Sequence, residues 1–168
     1  MRWYALVLLA ALYTASTVGW AQNSSVQLCL ANMQLEDTGS SNPVGQAGLM
    51  KYLAKEKLPA QYTPIDPVEP ESALQVAKSK NCDYVVTTRQ TESHVQSDIY
   101  GGATTANPIN MPVFYVTVTY KLTKVSDGSD VASGNMKASD RGSEKDAIVI
   151  AMHKIAGKLT DALKKSAH

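Results

Sequence analysis

The stretch "VFYVTVTYKLTKV", Val113 to Val125, most narrows what this chain can fold into. Phe114, Val116, Val118, Tyr120 and Leu122 alternate with Tyr115, Thr117, Thr119, Lys121 and Thr123. A period of two in β-branched and aromatic residues is the mark of a strand with one buried face. "SDGSD", Ser126 to Asp130, is a glycine-containing hairpin turn, and "VASGNMKASD" returns as the next strand, with Gly134 expected to mark a bulge. The sheet so begun needs a cover, and the next segment supplies one. Ile148, Met152, Ile155, Leu159 and Leu163 recur at four, three, four and four, as on an amphipathic helix packed on a sheet. Ser143 is placed to cap it, with Glu144 and Asp146 in its first turn.

The first half alternates strand and helix. "SSVQLCLANMQ", Ser24 to Gln34, is small or apolar on both faces, as suits an interior strand. "VGQAGLMKYLAKEKL", Val44 to Leu58, has helical spacing and is stopped by Pro59. Gln61 to Ile65 can form only an edge strand, because of Pro64. "PESALQVAKSKN", Pro70 to Asn81, reads as a helix with Ala73, Leu74, Val76 and Ala77 as its buried stripe. A strand follows from Cys82 or Asp83. Helical crossovers favour parallel pairing, and the later hairpin adds antiparallel strands. The expected fold is α/β: a mixed sheet of four to five strands with three helices packed on it.

The segment from Ser93 to Pro112 breaks every period. Gly101-Gly102, two prolines and scattered Asn and Thr predict a long loop, and loops of that length inside a compact domain are usually functional or disordered. Ile99, Tyr100, Ile109 and Met111 give it interface chemistry, so it is read as a partner-binding arm.

The amino terminus sets the compartment. Arg2 precedes a short apolar run, Ala5 to Leu12, and Gly19-Trp20-Ala21 places small residues where a signal peptidase reads. Residues 1–21 are expected to be a cleaved leader. The run is shorter than the roughly 20 residues of a spanning helix, so no stable transmembrane span is expected in the mature chain. Residues 22–168 then form a single domain that is periplasmic or secreted. Loss of Arg2 leaves acids and bases balanced, without the basic excess a nucleic-acid surface needs. Two cysteines, Cys29 and Cys82, meet an oxidising compartment, as a bond or as buried thiols.

Catalytic signatures are lacking. His94 enters the long segment, His153 lies off the apolar stripe of the last helix, and His168 ends the chain. No His-Glu-x-x-His, Gly-x-Ser-x-Gly or Cys-x-x-Cys occurs, and a metal site would have to be assembled from His94 with Asp83 or Asp98. Cys82 and His94 sit at opposite ends of one strand, tens of ångströms apart at about 3.3 Å per residue, too far for a nucleophile and its base. No metal, cofactor or enzymatic activity is expected.

The helix "ALQVAKSKN" running into "CDYVVTTRQTES", then "YKLTKVSDGSDVASG" and a long final helix, resembles an envelope family. Its members include the amino-terminal domain of TolB, the Tol–Pal β-propeller protein, the periplasmic domain of the curli-secretion channel lipoprotein CsgG, and the lipoprotein activator of penicillin-binding protein. The resemblance spans roughly Val26 to Leu163. It implies a mixed sheet with packed helices, work by protein–protein contact at the envelope and no catalytic residues. It also implies that the strands bearing Cys29 and Cys82 lie side by side, and hence a Cys29–Cys82 disulfide. Two features depart from the family: Cys29 follows bulky Leu28 rather than a lipobox, and the Ser93–Pro112 segment alternates too poorly for a barrel hairpin. The expected function is a non-catalytic binding or assembly module, through an envelope partner or self-association. Against it stand a small secreted enzyme or ligand carrier with a pocket near the long segment, and a self-associating protein with a long unpaired edge strand.

Overall fold

A computed structural model describes residues 25–100 and 109–166; the expected leader lies outside them. The elements run β1 (Val26–Ala31), β2 (Met33–Leu35), β3 (Ser41–Asn42), α1 (Pro43–Leu53), β4 (Ala60–Ile65), α2 (Pro70–Ser79), β5 (Tyr84–Tyr100), β6 (Ile109–Lys124), β7 (Asp130–Asp140) and α3 (Glu144–Ser166). All strands belong to one sheet, mixed as expected. β1 lies parallel to both β4 and β5, while β6 runs antiparallel to β5 and to β7. β2 continues the lane of β1 beside β5, pairing Gln34 with Arg89 and Leu35 with Gln90. Asn32 breaks that lane in two, its side-chain amide donating to the Asp66 carbonyl at 3.1 Å.

Helices cover both faces unequally. α1 and α3 bury Leu28, Leu30, Val86, Val116, Val118 and Leu122 beneath them. The five-residue stripe of α3 is buried throughout. α2 covers a smaller cluster of Cys29, Ala31, Ile65 and Val85 on the other face. Alternate residues of β1 therefore enter different cores, which is why both its faces are apolar.

Local chemistry sets the helix ends. The Asn42 side chain accepts from the Val44 N–H at 3.0 Å, with Pro43 in the first turn of α1. Ser143 Oγ accepts from the Asp146 N–H at 3.1 Å and donates back to its carboxylate at 2.6 Å. Asn81 ends α2 with a left-handed φ of 54°.

Four expectations need correction. The expected loop is strand over Ser93–Tyr100 and Ile109–Pro112: β5 runs to Tyr100 and β6 starts at Ile109, paired from Tyr84↔Lys124 to Tyr100↔Ile109, while residues 101–108 of the segment lie outside the described residues. Its period was hidden by a register shift between Gln90 and Glu92, which reverses the alternation along β5. The helix expected to reach Leu58 ends at Leu53 and gives way to turns in which Lys57 takes a φ of 52°. The first strand is not continuous to Gln34. Gly134 is not the bulge, which falls between Leu122 and Thr123. Gly134 instead lets the Tyr120 ring lie against the backbone, since an added Cβ would stand 3.1 Å from the ring.

Cys29 and Cys82 form a disulfide with Cα atoms 5.8 Å apart. Cys82 sits in the turn between α2 and β5, where its N–H donates to the Ala77 carbonyl at 3.0 Å.

Candidate functional site

The far half of the β5–β6 hairpin is an arm. β2 leaves β5 at Gln90, and β7 leaves β6 after the pair Phe114↔Asp140. Beyond those points the two strands run on as a ribbon, with Gln96 opposite Val113 and Ser97 opposite Pro112. A lone two-stranded ribbon is marginally stable in water, so packing against something else helps it. His94 stacks on Tyr115, ring centroids 5.1 Å apart. The large hydrophobic side chains that stand exposed among the described residues are Val95, at 58%, and Met111, at 39%, and both lie on this arm.

Of the residues read as partner-binding, Met111 is thus exposed on the arm. Ile99, Tyr100 and Ile109 fall in the paired strands by their backbone, and their side chains lie outside the described residues. Val95 was missed. Its one signal was a lone apolar residue in the polar run "TESHVQS".

Sheet edges differ in what they offer. Lys124 N donates to Ser129 O on the β7 side. Backbone groups alternate in an antiparallel ladder, so even-numbered residues of β6 turn toward β7 and odd-numbered ones toward β5. Pro112, just beyond the last β6–β7 pair, therefore puts its missing N–H on the open edge of β6. β7 pairs only with β6 and is a long edge strand, but Lys154 Nζ reaches over it to the Lys137 carbonyl at 2.8 Å. β4 carries Pro64.

β5 beyond Gln90 has no such guard among the described residues. Ser93, Val95 and Ser97 face Val116, Phe114 and Pro112, the β6 residues whose backbone turns away. Their own N–H and C=O groups consequently point outward, into the lane that β2 vacates. The Glu36 N–H, bonded to the Gln90 carbonyl at 3.1 Å, is the last group of that lane.

A cleft of about 570 Å³ opens at this point, lined by Leu35 to Thr38, Gln90 to His94 and Glu144. Four of its side chains are acids, Glu36, Asp37, Glu92 and Glu144, and no lysine or arginine lines it. Arg89 reaches Glu36 from outside at 3.7 Å, an exposed pair. Glu144, at the start of α3, accepts from Gln90 Nε2 at 2.6 Å and Ser93 Oγ at 2.5 Å, which ties the helix to the root of the arm. Glu92 accepts from Thr117 Oγ1 at 2.7 Å. These hydrogen bonds fix carboxylates along the lane without neutralising them. Sequence reading missed the cluster because its acids come from three distant segments.

Among the described residues no group of three or more His, Cys, Asp and Glu is placed to hold a metal ion. Asp83, considered with His94, lies at the opposite end of β5 and accepts from the Gln27 N–H at 2.8 Å. No helix of the described residues is long and apolar enough to cross a membrane.

Comparison with known proteins places the fold. No family model matches the chain, and no curated protein matches it. Solved structures do. A PelC dodecamer from Paraburkholderia phytofirmans aligns over 78% of this chain and 86% of that one, with 18% identity and a TM-score of 0.54. A Xanthomonas campestris protein of the DUF330 family aligns over 85% and 90%, with 11% identity and a TM-score of 0.52. At these identities the likeness is one of fold. The C-terminal domain of LpoB from Salmonella enterica overlaps more loosely, at a TM-score of 0.43 over 67% of this chain and 82% of that one, with 14% identity.

Proposed function

We propose that the chain is an exported, non-catalytic protein-binding or assembly module of the cell envelope, and that it makes its contacts through the β5–β6 arm. One observation carries this reading: the exposed large hydrophobics of the described chain, Val95 and Met111, are both on a ribbon that projects past its neighbouring strands. Exposed apolar side chains gathered on one projection mark a contact surface more than a solvent face. The disulfide and the stacked His94 agree with a structural rather than a chemical use of those side chains. Export is supported by the leader-like residues 1–21 and by the cystine. The envelope setting rests on the family resemblance of the sequence phrases. Self-association is the second form of the same reading, favoured by the dodecamers that PelC, of similar fold, forms.

The test shortens the arm. Gln96 and Val113 face each other, so replacing residues 97–112 by Asn-Gly closes a two-residue hairpin. The shortened protein is compared with the full chain by capture from envelope extracts and by light-scattering mass. Loss of specific partners, or of a defined oligomer, is the expected result. The same partners and the same mass from both proteins would overturn the proposal.

A further inference from the structure

The geometry points to β-strand addition at the arm: the open edge of β5 takes up an extended, basic segment of another protein, laid in the lane that β2 leaves. This rests on the arm being the binding element and names what it binds and how.

Three observations converge. Ser93, Val95 and Ser97 present outward N–H and C=O groups along the edge that β2 leaves, beyond the register shift between Gln90 and Glu92. The other long open edges carry Pro64, Pro112 or the Lys154 cover, and β3, which ends the sheet beyond β2, is two residues long, so this is the long edge left free to pair among the described residues. Beside it, Glu36, Asp37, Glu92 and Glu144 line a cleft that contains no lysine or arginine. Main-chain bonding supplies affinity in such complexes, and the side-chain surroundings supply selectivity. Here the surroundings ask for lysine or arginine beside Glu144 and Glu92, which lie on opposite faces of β5, and for an apolar residue near Val95. A second copy is not the occupant, because pairing its own open β5 edge here would bring its Glu36, Asp37, Glu92 and Glu144 against the same four acids.

The probe is a blocked peptide, Lys-Val-Lys-Val-Lys-Val-Lys, titrated into the full exported chain by fluorescence anisotropy. Its comparators are the same peptide N-methylated at alternate residues and an acidic version with Glu for Lys. Val95→Pro removes an outward N–H that makes no bond to β6, and a Glu92→Gln/Glu144→Gln double variant thins the charge. Saturable binding of the basic peptide is expected. Backbone N-methylation and Val95→Pro should each weaken it tenfold or more, and the double variant about fivefold. The acidic peptide should not bind.

Failure of the basic peptide to bind overturns the inference. So does binding that N-methylation leaves unchanged, which would mean adhesion to an acidic surface. The N-methylated peptide keeps the test decisive even if Val95→Pro misfolds. If the peptide fails while the shortened arm still loses its partners, the inference falls and the arm reading stands. If the peptide binds as a strand while the shortened arm keeps every partner, the arm reading falls instead.

Discussion

Two glycines in two helices allow one substitution to be tried with opposite expected signs. Gly45 lies in α1, where an added Cβ would stand 2.7 Å from Met33 Cβ and 2.8 Å from Met33 Sδ. Gly157 lies in α3, where an added Cβ meets nothing within 4 Å. Glycine to alanine in a helix interior gains about 1 kcal/mol of propensity. At Gly157 that gain stands alone, so Gly157→Ala should stabilise by about 1 kcal/mol. At Gly45 the Met33 sulfur can swing away, but the two Cβ atoms are fixed to backbone. Relief requires α1 to lift off β2 by about 1 Å, given an ordinary carbon–carbon separation of roughly 3.5–4.0 Å. That lift is resisted because α1 is wedged elsewhere: a Cβ at Gly48 would already touch Met152 at 3.4 Å. Overpacking of this kind typically costs about 1–3 kcal/mol, and a backbone-fixed contact belongs at the upper end. Gly45→Ala should therefore be net destabilising by about 1–2 kcal/mol. Urea unfolding followed by far-ultraviolet circular dichroism measures both, read as midpoint shifts at constant slope. Met33→Ala should not rescue Gly45→Ala, because it leaves the offending Cβ in place. If Gly45→Ala were neutral or stabilising, the close seating of α1 on β2 would be wrong.

Three further outcomes are expected. Replacing Cys29 and Cys82 together by alanine opens a loop spanning a sequence separation of 53, for which the chain-entropy relation gives about 4 kcal/mol; urea midpoints of oxidised and substituted proteins should differ by about 2–4 kcal/mol, and a difference below about 1 kcal/mol would count against the cystine as a frame element. The Ser129 hydroxyl and then its N–H, 2.8 Å away, hold the exposed Asp127 carboxyl below the usual carboxylate range. Its small contribution is present above the unfolded carboxylate value and is lost as pH falls through the lowered folded one, so carboxyl NMR should show a depressed Asp127 midpoint that rises toward normal on Ser129→Ala. Lys57→Gly should stabilise by up to about 1 kcal/mol, since relief of a left-handed φ outweighs the added chain freedom; a thermal melt moved downward would contradict this.

Much of the frame was legible because it is written locally. The period of Val113 to Leu122, the turn at Gly128 and the apolar stripe of α3 each depend on near neighbours in sequence, and each stands where that pattern put it. Pro64 and Pro70 announced an edge strand and a helix start through the loss of an N–H. The arm was obscured for an equally local reason. A bulge reversed the alternation of β5, and the apolar partners of its polar strand, Val113 and Phe114, sit across the hairpin rather than beside it in sequence.

What the sequence by itself determined is therefore the α/β class, the three helices and the hairpin, since backbone periodicity is a property of each segment. The pairing of Cys29 with Cys82 could only be inferred from the resembled fold, and it took the parallel β1–β5 contact to bring the two within bonding distance. The tertiary structure alone decided which edge of the sheet is open. It also gathered Glu36, Glu92 and Glu144 beside that edge. Register and lane depend on long-range hydrogen bonding, and carboxylates that are scattered along the chain meet only when the strands and helix that carry them have packed.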